Sequence, residues 1–441
     1  MTRQEIYEAS KKYTLFTWAP QGGYDPIVVD KVDGVHFWDM DGTRYTDLSS
    51  QLVCVNTGLN KKEIMDAVCE QLYKFPYVAP RHTYEKRAEL GKVIIEEIAP
   101  KNMAKVLFGL GGADANEFAI RLAKVYSGRH KIFAKYQSYH GSTAGSGSLT
   151  GEADRSIPFA PLAGVIHFDA PHTYNYDIQF ATEEEATAHF LARLEYQMKM
   201  EDPYDIAALF IETVPGSNGV QIYPKGYLKG VRELCTKYGI MMVCDEVMAG
   251  WGRTGHWFAF QAYGIEPDII TTAKGISSAY APLSAVIISK EISDFYEKTS
   301  LPAGLTYNAH ALGVAAGLAT IRYYQKYDLI NRSKEMGKKF GEMLEGLKAK
   351  HACVGDVRYI GLYSAIELVK NKETRELLLE DENGTPIFGA VAANLKKRGF
   401  TTVGHDNTFM FAPALTVTDE ELQEMVDGVD AMLSDFDHLA K

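Results

Sequence analysis

Between residues 105 and 289 the chain alternates short apolar runs with amphipathic stretches. This alternation restricts the fold more than any other feature. KVLFGL (105–110), HKIFAKY (130–136), IAALFIETV (206–214), IMMVCDEV (240–247), DIITTA (268–273) and LSAVIIS (283–289) have the length and composition of strands buried on both faces. ANEFAIRLAKVYSG (115–128) and KGYLKGVRELCTKYG (225–239) read as helices. The second sets Tyr227, Leu228, Val231, Leu234, Cys235 and Tyr238 on one stripe, with charges opposite. Strands alternating with helices pack as a mainly parallel sheet covered on both faces, and ligands gather outside the carboxyl ends of its strands. The expected fold class is α/β.

The two ends of the chain read differently. Residues 26–55 form hairpins turned at Asp33-Gly34 and Asp41-Gly42. A helix at about 331–350 precedes a strand pair around VRYIGLYSAIELV. The last helix opens with a capping box of Thr418 and Glu421 and turns Leu422, Met425, Val426, Val429, Met432, Leu433 and Phe436 inward. The expected organisation is a large α/β domain over 61–325 flanked by a smaller α+β domain from residues 1–60 and 326–441.

At 441 residues the chain exceeds one hydrophobic core. Its net charge of -11, from 57 acidic and 46 basic residues, and the lack of a dense basic run argue against nucleic-acid binding. The start, MTRQEIYEASKKYT, has no apolar core of a secretory signal, and no apolar run reaches membrane-spanning length. The five cysteines are scattered without a C-x-x-C pair, so neither a disulfide framework nor a zinc site is indicated. A cytoplasmic enzyme is expected, with no membrane partner.

Four places along the chain could carry chemistry. FGLGGADANE (108–117) puts a Gly-Gly turn between a strand and a helix, where free N–H groups and the dipole suit a phosphate. YQSYHGST (136–143) brings Tyr139 and His140 to a strand end, where an aromatic ring can stack on a planar ligand. Glu212 and Asp245 end buried strands, and a buried carboxylate must be paired or hydrogen-bonded. Glu246 reads as a structural group, paired with Arg253 or with backbone N–H groups. Lys274 follows the apolar EPDIITTA and precedes GISSA, small residues that suggest a ligand close to the backbone. Desolvation would lower its pKa and make it a nucleophile toward carbonyls. Each of these alone has an ordinary structural explanation. Together they are the parts that pyridoxal 5'-phosphate requires: a Schiff-base lysine, an anion for the ring nitrogen and a phosphate anchor.

On GGADANE, YHGST, DEVMAGWGRTG, TTAKGISSAYAPLSAV and GLTYNAHALGVAAGLAT, in this order, the chain resembles the class III aminotransferases (subgroup II, ω-amino acid) of fold type I. The resemblance covers nearly the whole length. It implies pyridoxal phosphate held covalently by Lys274, which would also move the proton. Asp245 would pair with the ring nitrogen, Val247 would pack on the ring face opposite Tyr139, and His140 would also contribute to the cofactor site. Gly112 and Ala113 would bind phosphate. Thr306 would reach the phosphate in the neighbouring subunit, and Glu212 would be the active-site glutamate. A homodimer with shared sites follows, with pairing into tetramers left open. The chain departs from the family at Ala113, where a serine is usual, at Met248 for glutamine and at Ala311 for proline.

The substrates are an amine donor and a 2-oxo acid. The arginine of the HGRT motif is replaced by Ser142, and FTTVGHDNTFMFAPAL lacks the mobile arginine of many relatives, with Val403 or His405 nearest. Another cation must take the acidic end of the substrate: Arg155 first, Arg81 second. Trp18, in LFTWAPQGG, would supply an apolar wall. Within the family the chain most resembles the taurine-using members. The expected donor is a short ω-amino acid, with taurine ahead of β-alanine and hypotaurine, and the acceptor is 2-oxoglutarate or pyruvate. The alternatives are another amine or ω-amino acid:pyruvate transaminase, an aminomutase or decarboxylase of the same fold, and a cofactor-free dehydrogenase or binding protein. The last is weakened by the absence of G-x-G-x-x-G.

Overall fold

The computed structural model describes residues 1–152, 155, 161–172, 174, 176 and 178–441. Its centre is a seven-stranded sheet, in the spatial order Met103–Gly109, Ser284–Ser289, Ile269–Thr272, Met241–Asp245, Ile206–Glu212, Lys131–Lys135, Val165–Phe168. Ser284–Ser289 runs antiparallel to both neighbours, and the remaining pairings are parallel. Every residue of Ile206–Glu212 is buried, which explains why that run is apolar without alternation.

Helices cover both faces. Gly112–Ser127 buries Phe118, Ala119, Leu122 and Ala123 against one face. Tyr227–Tyr238 buries Tyr227, Leu228, Val231, Cys235 and Tyr238 against the other, with Leu234 packed at the margin. Among the described residues no helix is long and apolar enough to cross a membrane.

The chain ends meet in a second layer. The hairpins Val29–Asp33, His36–Asp39 and Arg44–Asp47 turn at Gly34 and Gly42, both in the left-handed region. Phe400–Thr401 then adds in parallel to Arg44–Asp47, so one four-stranded sheet is built from both termini. A further sheet pairs Val354–Tyr359 with Ser364–Asn371, followed by Thr408–Phe411 and Val403–His405. The last helix, Asp419–Phe436, has the expected capping box, and all seven of the inward residues are buried.

Arg253 binds these parts together. It is fully buried and donates to the carbonyls of Leu362 and Pro413 and to Asn56 Oδ1. Glu246 does not pair with it. Of the two partners considered, backbone wins: Glu246 accepts from Thr213 Oγ1 and from the amides of Ala259 and Phe260.

Candidate active site

Sheet register decides where the functional side chains meet. Glu212 lies opposite Asp245, and Asp245 opposite Thr271. The strand carrying Thr271 ends at Thr272, so Lys274 emerges at the same carboxyl edge. A cavity of about 580 Å³ opens there. Gly112, Ala113, Tyr139, His140, Glu212, Asp245, Val247 and Lys274 line its floor, and Trp18, Arg155, Ser142 and Val403 stand among the residues of its walls.

Asp245 is the best-supported group in the cavity. Its Oδ2 meets His140 Nδ1 at 2.7 Å and Asn116 Nδ2 at 2.9 Å, and its Oδ1 accepts from the Val247 amide at 3.0 Å. His140 is buried, which alone would lower its pKa. The hydrogen bond and charge of Asp245 outweigh burial and raise it. Asp245 thus has His140, Asn116 and a backbone amide arrayed on its two oxygens. Asn116 also donates to the His140 carbonyl at 2.8 Å. It stands inside GGADANE, one helical turn past the glycines, yet sequence gave it no role because its partner lies 129 residues away.

Glu212 Oε1 accepts from the Tyr139 amide at 2.9 Å and so fixes the start of the aromatic loop. Burial pushes its carboxyl up to about 7, helped by the charge of Asp245 and opposed by His140. The Tyr139 hydroxyl meets Ser142 Oγ at 3.1 Å.

Lys274 sits in the left-handed region at φ +45°, an unfavourable conformation for a residue with a Cβ. Desolvation lowers its pKa, against the pull of Cys54, Asp245 and Glu212. Some of the small residues after it pack on protein: a Cβ at Gly275 would lie 2.5 Å from Asn56 Nδ2, and Ser278 Oγ accepts from the Thr57 amide at 2.9 Å.

At the far side of the floor the helix Gly112–Ser127 points its first turn into the cavity. Asp114 caps it, accepting from the amides of Leu110 and Gly111. The amides at Gly112 and Ala113, in the first turn, have no intrahelical acceptors. A Cβ at Gly112 would come within 3.0 Å of Val247 Cγ1, so glycine lets the valine reach the cavity. Gly141, at φ +130°, lets its loop press on Ala113, where a Cβ would stand 2.7 Å from the alanine Cβ. A hydrogen-bonded buried carboxylate, an amine with lowered pKa and open helix amides around one cavity fit pyridoxal phosphate.

The walls hold fewer contacts. Trp18, at φ +56° and 67% exposed, meets Tyr139 edge-on at 6.5 Å between ring centroids. Arg155 stands 5.9 Å from the Tyr139 ring centroid and 3.3 Å from Glu152 Oε2. Arg81 is exposed and does not line this cavity. Thr306 is also exposed and outside it, with its carbonyl accepting from the Tyr77 hydroxyl.

Comparison with known proteins agrees with this geometry. The family described as "Aminotransferase class-III" matches residues 18–433. The structure of a taurine:2-oxoglutarate aminotransferase from Bifidobacterium kashiwanohense, in complex with PLP and glutamate, superposes with a TM-score of 0.94 at 41% identity over 99% of both chains. A taurine–pyruvate aminotransferase of Bilophila wadsworthia is 29% identical over 97% of this chain and 96% of its own. A mitochondrial γ-aminobutyrate transaminase of Solanum lycopersicum is 33% identical over 91% of this chain and 80% of its own.

Proposed function

We propose that this chain, which belongs to the class III aminotransferases, moves the amino group of a short ω-amino acid to 2-oxoglutarate or pyruvate, with taurine the first donor and hypotaurine and β-alanine close behind. Members of the family are aminotransferases that use pyridoxal phosphate, an amine donor and a 2-oxo acid. When bound, the cofactor supplies an electron sink for the pair released as the substrate C–H bond breaks.

The chain supplies the rest. Gly112 and Ala113 would hold the phosphate on open amides, and Asp245 would face the ring nitrogen. Tyr139 and Val247 would close on the two ring faces. Desolvated Lys274 would hold the cofactor, and its Nζ would take a proton from one carbon and return it to another. The acidic end of donor and acceptor must be held in the same pocket in successive half-reactions.

The observation that carries the substrate reading is Arg155. It is the one arginine among the described residues lining the cavity. Ser142, hydrogen-bonded to Tyr139, leaves no cation at its own position. The names of the taurine-using relatives support the same reading. The exposed Thr306 is consistent with a homodimer in which it reaches its partner's site.

Steady-state rates over taurine, hypotaurine, β-alanine, γ-aminobutyrate, an aryl amine and a diamine, with both oxo acids, test this. Arg155→Ala should lower kcat/KM for the acidic donors by about 10- to 100-fold, the scale of a lost hydrogen bond to a charged group. The aryl amine should be little affected. Inactivity toward taurine beside strong turnover of the aryl amine or diamine would sink the assignment. Unchanged turnover of acids by the variant would remove Arg155 from the site.

A further inference from the structure

Behind the Tyr139 loop lies a lysine that the transamination chemistry does not use. Lys135 ends the strand Lys131–Lys135 and is 1% exposed, a rare place for an ammonium group. It does not snorkel to solvent. Its Nζ donates to the Gln137 carbonyl at 2.6 Å and to Gln221 Oε1 at 3.2 Å. One ammonium thus ties the start of the Tyr139 loop to the segment that follows Glu212.

The chain leading to Arg155 is pressed on the same place. The Gln137 amide donates to the Gly151 carbonyl and the Gly151 amide to the Ser138 carbonyl, both at 3.0 Å. A Cβ at Gly151 would lie 2.3 Å from the Lys135 carbonyl oxygen.

Neither acceptor of the ammonium is charged, so those hydrogen bonds alone do not offset its desolvation. The compensating charges are carboxylates. Glu212, Glu152 and Asp169 all act on Lys135, while His140 and His172 feel its positive charge. Burial brings Lys135 down to about 8, against the pull of these acids. Glu152 has only 5% of its side chain exposed, and its oxygens accept no hydrogen bond among the described residues. Its ion partner is Arg155. Glu212 for its part faces His140, Asp245, Lys135 and Lys274, with the hydroxyls of Tyr223 and Tyr363 in its field.

We propose that Lys135 is a positioning residue whose buried ammonium ties the Gln137 carbonyl to Gln221, so seating the loop whose Tyr139 amide Glu212 holds, and stands as a counter-charge to that glutamate. Losing that cation would favour proton uptake by Glu212 and loosen the loop that carries Tyr139. The inference rests on the roles given above to Tyr139 and Glu212.

The test compares cofactor-loaded wild type, Lys135→Met, Lys135→Arg and Glu212→Gln. It reads kcat/KM for β-alanine, and the absorbance of the bound cofactor without substrate, from about pH 6 to about pH 9. A nearby cation lowers a carboxyl pKa, so removing it must raise the pKa. Lys135→Met should therefore move the inflection near 7 upward by about one unit or more. It should lower kcat/KM at about pH 6, below both pKa values, by about 10-fold, the equivalent of one such unit. Lys135→Arg should restore both, and Glu212→Gln should remove the inflection.

A merely structural lysine would change thermal stability or kcat and leave the inflection in place. An unmoved inflection in folded Lys135→Met overturns the proposal. Where that variant does not accumulate folded, Glu212→Gln decides, and an inflection that survives in it overturns the proposal. Failure of the transaminase reading itself looks different, since wild type would then turn over no amine at all.

Discussion

Asp245, on the floor of the cavity, is 4% exposed and receives hydrogen bonds from His140, Asn116 and Val247. Trp18, on its wall, is 67% exposed and meets the site through one edge-on ring contact. The floor's two carboxylates, Glu212 and Asp245, stand on strand ends, where register fixes each side chain against its neighbour, and buried charges there must be satisfied. Trp18 stands on the N-terminal segment, where few contacts constrain a side chain. The difference teaches a contrast in support: the carboxylate at the strand end is fixed by three hydrogen bonds, and the wall tryptophan by one ring contact.

The comparison can be broken at its strongest point first. Lys274→Ala should abolish transamination, because no other lysine lines the described cavity. Its melting temperature should stay within about 3 °C of wild type, since a desolvated amine in a strained conformation contributes little stability. Near wild-type turnover in that variant would refute the floor as the seat of chemistry. Asp245→Asn should lower kcat by at least about 100-fold, the usual effect of removing one preorganised electrostatic group. Stopped-flow spectra of the bound cofactor would read it, and a loss below tenfold would mean that the anion is not needed.

Smaller effects belong to the wall. Arg155→Ala should separate acidic from neutral amines as set out above. Trp18→Ala should change kcat/KM by about two- to threefold, within the 0.5 kcal/mol scale of exposed side chains. It should do so unevenly across the amine panel. A uniform fall of 100-fold for every amine would move Trp18 from the wall into the floor and erase the distinction.

Much of the floor was legible in the sequence. Glu212 and Asp245 announce themselves as carboxylates ending apolar runs, and Lys274 as a lysine with apolar flanks. Gly112 follows from a strand-to-helix turn. Asn116 and Lys135 were not legible, although both lie in segments that drew notice. An asparagine in a helix and a lysine at a strand end are ordinary in sequence. Their importance comes from Asp245, 129 residues from Asn116, and from Gln221, 86 residues from Lys135. The small residues after Lys274 drew notice for a close ligand, and tight packing of Gly275 on Asn56 and Trp251 leaves the same sequence trace.

The sequence by itself determined the α/β class, the mainly parallel sheet and the strand ends that carry chemistry. Apolar periodicity and glycine at turns are local properties, readable from neighbours along the chain. Only the tertiary structure decided that His140 and Asn116 share one carboxylate, that Glu246 bonds backbone amides and not Arg253, and that Arg155 reaches the cavity while Arg81 does not. Those outcomes depend on strand register and on where loops cross, and residues far apart in sequence meet only when the sheet has formed.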